Sequence, residues 1–105
     1  LEPIFMGGLK KFEELDHIGE ARGVGLMGAL EMVQDKKSKK SFDGSISIGE
    51  RVANKCIENG LICRPLGPSI VLCPPFITSD DEMEIIFDTL DKTLKKVFSE
   101  VKSLI

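Results

Sequence analysis

The chain has 105 residues, of which 42% are hydrophobic and 30% charged, with a formal net charge of −3. At this size it is one domain burying roughly 65% of its unfolded surface, enough for a modest core without staples. Acidic residues exceed basic ones, tyrosine and tryptophan are absent, and no apolar run approaches the roughly 20 residues that span a bilayer, which argues against nucleic-acid and membrane partners. Cys56, Cys63 and Cys73 are odd in number, without C-x-x-C spacing or a histidine partner. No secretory signal is visible in these residues, so the cysteines read as reduced core thiols of a cytoplasmic protein and not as metal ligands.

Residues 2–15 carry a helical stripe through Phe5, Leu9, Phe12 and Leu15. It is interrupted by Gly7-Gly8, each costing about 1 kcal/mol against alanine, so the helix needs its neighbours. Asp16-His17-Ile18-Gly19 reads as the turn that follows. His17 could be a general base, but a lone histidine at a helix end beside an aspartate is expected to be a cap or surface contact. The apolar block from Gly19 to Val33 contains Gly23-x-Gly25-x-x-Gly28, the spacing of a dinucleotide-binding loop. That spacing lies inside the apolar run and not between a strand and a helix, so the block is predicted to be one strand from about Val24 to Val33 whose glycines allow bends or close approach. Arg22 beside them could bind an anion or form a structural ion pair. The basic run Lys36-Lys37-Ser38-Lys39-Lys40 is expected to be a solvated loop ahead of the Phe42-Asp43-Gly44 turn, not a phosphate or nucleic-acid contact.

Ser47-Ile48-Gly49-Glu50 has capping-box spacing and predicts a helix with Ile48, Val52, Cys56 and Ile57 on one face, stopped at Asn59-Gly60. Leu66-Gly67-Pro68 supplies turn chemistry between two short runs, Leu61–Pro65 and Ile70–Cys73, which predicts a β-hairpin closed at its far end by Pro74-Pro75. Ser79 with Glu82 is a second capping box, opening a long terminal helix whose stripe runs through Met83, Ile86, Phe87, Leu90, Leu94, Val97, Val101 and Leu104. The order is helix, strand, helix, strand, strand, helix. This predicts an α+β fold with a small, mainly antiparallel three-stranded sheet covered by helices.

Arg64 stands within the apolar stretch Leu61-Ile62-Cys63-Arg64-Pro65. Strand alternation places Ile62 and Arg64 on one face and Leu61 and Cys63 on the other. In a buried strand an unpaired guanidinium would cost roughly 3–5 kcal/mol, and no carboxylate lies nearby in sequence. Either Arg64 reaches water at a sheet edge or pairs with a distant acid, or it is kept for a ligand.

Taken together, Gly19-x-x-Arg22-Gly23-x-Gly25-Leu26, Glu31-x-Val33-x-Asp35-Lys36, Gly60-Leu61-Ile62-x-Arg64 and Cys73-Pro74-Pro75-Phe76, followed by an acidic-started terminal helix, resemble a known family. The chain is similar, over essentially its whole length, to the C-terminal small domain of class III, fold type I, pyridoxal-phosphate-dependent aminotransferases. It looks most like the ω-transaminase branch, which takes an amine donor and passes the amino group to pyruvate.

The resemblance implies that Arg64 is the mobile arginine that binds the substrate carboxylate. It also implies that pyridoxal phosphate is held as a Schiff base on a lysine of a large domain absent here, and that the intact enzyme is a homodimer. The lysines of this chain lie in polar runs or on outward helix faces, where nothing would make an amine a poised nucleophile. No catalytic or cofactor-binding residue is therefore expected among these 105 residues. They start without an initiator methionine, partway through a helix-like segment, and are expected to be a fragment, inactive alone. Two other readings keep the α+β layer. One is a non-catalytic small-molecule-binding regulatory domain of ferredoxin-like or ACT type, with Arg64 on an effector carboxylate. The other is a structural interaction domain with Arg64 in a salt bridge.

Overall fold

The computed structural model of the chain describes residues 2–24, 27–72 and 79–104. Gly25-Leu26 and Cys73-Pro74-Pro75-Phe76, on which parts of the glycine pattern, of the hairpin and of the cysteine reading fall, lie outside the described residues. The elements in chain order are helix α1 (Glu2–Lys11) running into a 3-10 turn (Phe12–Glu14), strands β1 (Ile18–Val24) and β2 (Met27–Met32), and a 3-10 turn (Gly44–Ile46) leading into α2 (Ile48–Glu58). Strands β3 (Arg64–Leu66) and β4 (Ser69–Leu72) follow, then α3 (Asp80–Val101), which ends in a 3-10 turn.

The fold is α+β, but its antiparallel sheet has four strands, in the order β1-β2-β4-β3, where three were predicted. The additional strand is β1, placed by sequence reading partly in a turn. A register shift between Ile18 and Glu20 accounts for this. The bulge lets Ile18 and Ala21, three residues apart, both point into the core with no exposed surface, so the period-two signature of a strand is broken. The glycines then serve packing. Gly23 and Gly28 face each other across β1 and β2, and a Cβ on Gly28 would lie 2.6 Å from Leu9 Cδ2 and 2.9 Å from Phe5 Cζ. The apolar face of α1 drops onto the sheet there, between antiparallel strands and far from the strand-to-helix context of a nucleotide loop.

Three helices cover one face of the sheet: α1 lies on β1 and β2, α2 on β3 and β4, and α3 against both helices. Phe5, Leu9 and Phe12 are buried as predicted. The two glycines of α1 differ sharply. A Cβ on Gly8 would sit 2.3 Å from Cε2 of Phe87, so the missing side chain seats an α3 ring that stacks on Phe5 at a centroid distance of 5.9 Å. Gly7 faces open space. Gly7→Ala is therefore expected to stabilise the chain by about 0.5–1 kcal/mol, through helix propensity and a less disordered unfolded state, read as a Tm rise of about 4–8 °C per kcal/mol.

The second capping box forms as its spacing requires. Ser79 Oγ accepts from the Glu82 N–H at 3.1 Å, and the Ser79 N–H donates to Glu82 Oε1 at 3.1 Å. From that start α3 buries Met83, Leu90, Leu94, Val97 and Val101, with Ile86 and Phe87 half-buried. Leu104 is instead exposed. In α2, Ile48, Val52 and Cys56 are buried as predicted while Ile57 is exposed, because the helix ends within a turn of it at Asn59 and at Gly60, whose φ is +85°. The predicted capping box at Ser47 does not form. Ser47 is left-handed (φ 51°) and its hydroxyl donates to Gly44 O at 3.3 Å. The capping side chain is Asp43, which accepts from the Ser45 N–H at 2.9 Å and opens the 3-10 turn ahead of α2.

His17 is neither a cap nor a surface contact. It is buried against Phe42 and Phe98, with ring centroids 5.3 and 5.0 Å away, and its Nδ1 lies 3.0 Å from Val33 O. The basic run is exposed, as expected. Asp35 organises its turn through the Lys37 N–H and the Ser38 hydroxyl, and the Lys36 ammonium donates to the carbonyls of Glu13 and Leu15.

Edge strand β1 is tied at Ala21 to α1 and to the 3-10 turn that follows it. The Ala21 N–H donates to Glu13 Oε2 at 2.9 Å, and its carbonyl accepts from Lys10 Nζ at 2.6 Å. The Ala21 N–H, with help from Lys10 and Lys36, holds the Glu13 carboxyl below the ordinary glutamate value of 4.5. The Ser79 N–H and hydroxyl do the same for Glu82. A carboxyl depressed in the folded state contributes stability that is fully present above its unfolded pKa and lost as pH falls through the folded one. Tm should therefore fall on acidification below 4.5, and Glu13→Gln should flatten part of that fall in a series of thermal melts.

Candidate functional site

Strand register defines a second face of the sheet, opposite the helices. Along β2 the exposure alternates strictly, with Gly28, Leu30 and Met32 inward and Met27, Ala29 and Glu31 outward. The ladders then align Arg22, Ala29, Val71 and Arg64 in one row across β1, β2, β4 and β3. Ala29 and Val71 are half-buried and form an apolar centre, and an exposed arginine stands at either end. With strands about 4.8 Å apart, the Cα atoms of the two arginines are about 14 Å apart.

The two cations are not equivalent. Arg22 Nη1 lies 3.6 Å from Glu20 Oε2 and 3.6 Å from Glu31 Oε2, so it bridges two carboxylates that the register sets opposite each other. Of the two roles open to Arg22, the structure supports the ion pair. Arg64 forms no ion pair among the described residues. It begins edge strand β3, every residue of which is exposed. Of the surroundings open to Arg64, the structure shows the sheet edge: the side chain is exposed to water, so no internal acid is required. The rival reading in which a salt bridge ties it up finds no partner among the described residues.

The alternation around Arg64 is as predicted. Cys63 is buried and Leu61 half-buried, while Ile62 is 82% exposed. Sequence reading left Leu66 in the turn. It is in fact the last residue of β3, two beyond Arg64 on the same face, and is 67% exposed. The turn itself is the two-residue Gly67-Pro68, with Gly67 at φ +58° as such tight hairpins demand. A guanidinium with no ion-pair partner among the described residues, between two large exposed aliphatic side chains, is a surface suited to binding an anion while something else covers its flanks.

No described lysine fits the role of an amine held in a dry pocket for a Schiff base. Lys10 and Lys36 are engaged with backbone carbonyls, while Lys55 and Lys95 pair with Glu58 and Asp91 at 3.7 and 2.9 Å. The described residues also contain no cluster of histidine, cysteine and acidic side chains able to hold a metal ion, and no described helix is long and apolar enough to cross a membrane.

The fold and the site geometry lead to a class of protein. A family model described as aminotransferase class-III matches residues 1–94, and the chain belongs to that family. Among individual relatives, it is 40% identical over 93 residues to an adenosylmethionine-8-amino-7-oxononanoate aminotransferase of Aquifex aeolicus, an alignment covering 89% of this chain and 20% of the relative. An ω-transferase structure from Vibrio fluvialis JS17 superposes with a TM-score of 0.95 at 55% identity, over 98% of this chain and 25% of that one. An ω-aminotransferase structure from Paracoccus denitrificans does so with a TM-score of 0.93 at 54% identity, over 96% and 22%. The chain thus spans about a fifth to a quarter of the length of the proteins it matches. Class III aminotransferases depend on pyridoxal phosphate. The ferredoxin-like or ACT reading is not supported, since that architecture runs β-α-β-β-α-β and this chain places two hairpins about α2.

Proposed function

We propose that these 105 residues are the C-terminal small domain of a pyridoxal-phosphate-dependent aminotransferase that moves an amino group from an amine or ω-amino acid to a keto acid such as pyruvate, and that Arg64 binds the substrate carboxylate. The observation that carries this reading is Arg64 on the helix-free sheet face, without an ion-pair partner among the described residues and flanked by exposed Ile62 and Leu66, in a chain of this family. Pyridoxal phosphate would supply the electron sink for amino-group transfer from a part of the protein outside this chain. The enzyme would work as a cytoplasmic homodimer.

One pocket that accepts in turn an apolar amine and a keto acid cannot hold a fixed charge in place for both. An arginine on an edge strand resolves this. Its fork can make two charge-assisted hydrogen bonds to a carboxylate and turn toward water when the substrate group is apolar. The aliphatic flanks at Ile62 and Leu66 would keep the rest of the pocket wall suited to an uncharged amine.

The test uses the full-length purified protein. It should be yellow, lose that colour on addition of an amine donor and regain it with pyruvate. Absence of the cofactor band, or a band that no amine bleaches, would refute the proposed activity.

A further inference from the structure

The pair Asn59-Gly60 ends α2, but the left-handed residue that this requires is Gly60 alone, at φ +85°, while Asn59 lies at φ −93° and ψ 8°. The Asn59 side chain is left for another use. Its Nδ2 donates to Thr93 Oγ1 of α3 at 2.9 Å. Among the described residues, this is the one hydrogen bond joining two side chains distant in sequence. Thr93 is fully buried, on a helix whose Leu90, Leu94 and Val97 are buried too. A valine has the same shape, and a hydroxyl in such a place costs free energy unless its hydrogen-bonding capacity is used. Here the hydroxyl donates to Thr89 O at 2.7 Å, one turn back in its own helix, and its oxygen accepts the Asn59 amide.

The bond falls at the approach to Arg64. Residues 59–63 connect α2 to β3, and Arg64 is the first residue of that strand. The Asn59 N–H donates to Cys56 O at 3.0 Å, the Gly60 N–H to Ile57 O at 3.0 Å and the Leu61 N–H to Cys56 O at 2.8 Å, so the start of the connection is fastened to the end of α2. Strand β3 is three residues long, exposed throughout and paired only with β4, so it has little packing of its own. We propose that Asn59 and Thr93 are positioning residues for Arg64: their hydrogen bond locks the connection into β3 onto α3 and so fixes where the guanidinium reaches. This rests on the carboxylate-binding reading of Arg64. A fork that meets a carboxylate along two bonds tolerates little displacement of its base, whereas an amine without a carboxylate makes no demand on it.

The test uses the full-length holoenzyme with Thr93→Val, which keeps the shape and loses the hydroxyl, Thr93→Ser, which keeps the hydroxyl, and Asn59→Ala, at an exposed residue whose loss leaves the core intact. In single-turnover measurements, Thr93→Val and Asn59→Ala should each raise the pyruvate concentration that half-saturates the keto-acid half-reaction by about tenfold, and leave the half-reaction of a carboxylate-free amine unchanged. The double variant should be no worse than either single one, since both changes remove the same interaction, and Thr93→Ser should restore most of the lost affinity. Peptides spanning residues 57–66 should exchange their amide hydrogens faster in Thr93→Val. Unchanged saturation by pyruvate, equal slowing of both half-reactions, additive effects in the double variant, or unaltered exchange at residues 57–66 would each overturn the positioning role while the carboxylate reading stands. Arg64→Ala keeps the two apart: if it slows both half-reactions equally, the carboxylate reading fails and the positioning role fails with it.

Discussion

Arg64→Ala in the full-length enzyme is expected to slow the keto-acid half-reaction by about a hundredfold or more while leaving that of a carboxylate-free amine within a few-fold of wild type. The magnitude follows from the two hydrogen bonds of a guanidinium fork, each worth roughly 1.5–3 kcal/mol when charge-assisted, at about 1.4 kcal/mol per decade. The structure supports a loss confined to the bound state. Arg64 makes no ion pair among the described residues and its whole strand is exposed, so truncation leaves no internal carboxylate unpaired and removes little packing from the chain. Arg64→Lys keeps the charge without the planar fork and should fall between the two. Single-turnover measurements of each half-reaction at saturating cofactor decide the matter. Equal slowing in both would mean that Arg64 supports the fold or the domain contact and does not read the carboxylate.

How far the sequence reaches depends on how local the governing interaction is. Ser79, Glu82 and the stripe of α3 are local, and they appear in the structure as their spacing demands. The same is true of Gly60, whose left-handed φ ends α2, and of the alternation that turns Cys63 inward and Arg64 outward. Strand β1 was illegible because a bulge at its start puts Ile18 and Ala21 out of phase. Ser47 shows that a capping pattern is a competition: Asp43, four residues upstream, already caps the turn from which the helix grows. The role of His17 depends on Phe42 and Phe98, which reach it only through the tertiary fold.

Arg64 is identifiable in the sequence as a charge in an apolar stretch, but the sequence alone does not choose between a buried strand and a sheet edge. Burial of a strand is set by its position in the sheet, and β3 lies at an edge. Its counterpart Arg22 joins it in one row only through the pairing of all four strands. The distinction between a neutralised arginine at one end of that row and one without a partner among the described residues at the other is therefore a property of the sheet, invisible in either residue's neighbourhood.

Gly49→Ala isolates a second feature of the same region, the seating of α2 on the hairpin that carries Arg64. Helix propensity alone predicts that alanine in the first turn of α2 would stabilise by up to about 1 kcal/mol. Packing predicts the opposite sign. A Cβ at Gly49 would lie 2.3 Å from the carbonyl oxygen of Gly67 and 3.1 Å from that of Ser69, and these are backbone atoms held by the β3-β4 pairing. At Gly8 the atom in the way belongs to a half-buried Phe87 ring, which can turn aside. At Gly49 relief requires α2 to lift or the hairpin to shift. Pro68 O accepts from the Met32 N–H at 3.0 Å, so a shift of the hairpin also strains the β2-β4 pairing. Overpacking of this kind costs about 1–3 kcal/mol, which for a chain of this size is a Tm loss of about 4–8 °C per kcal/mol. Gly8→Ala should lose less, and Gly7→Ala should gain. A Gly49→Ala chain as stable as wild type would show that the α2-hairpin contact is looser than its geometry implies, and Arg64 would then stand on a movable support.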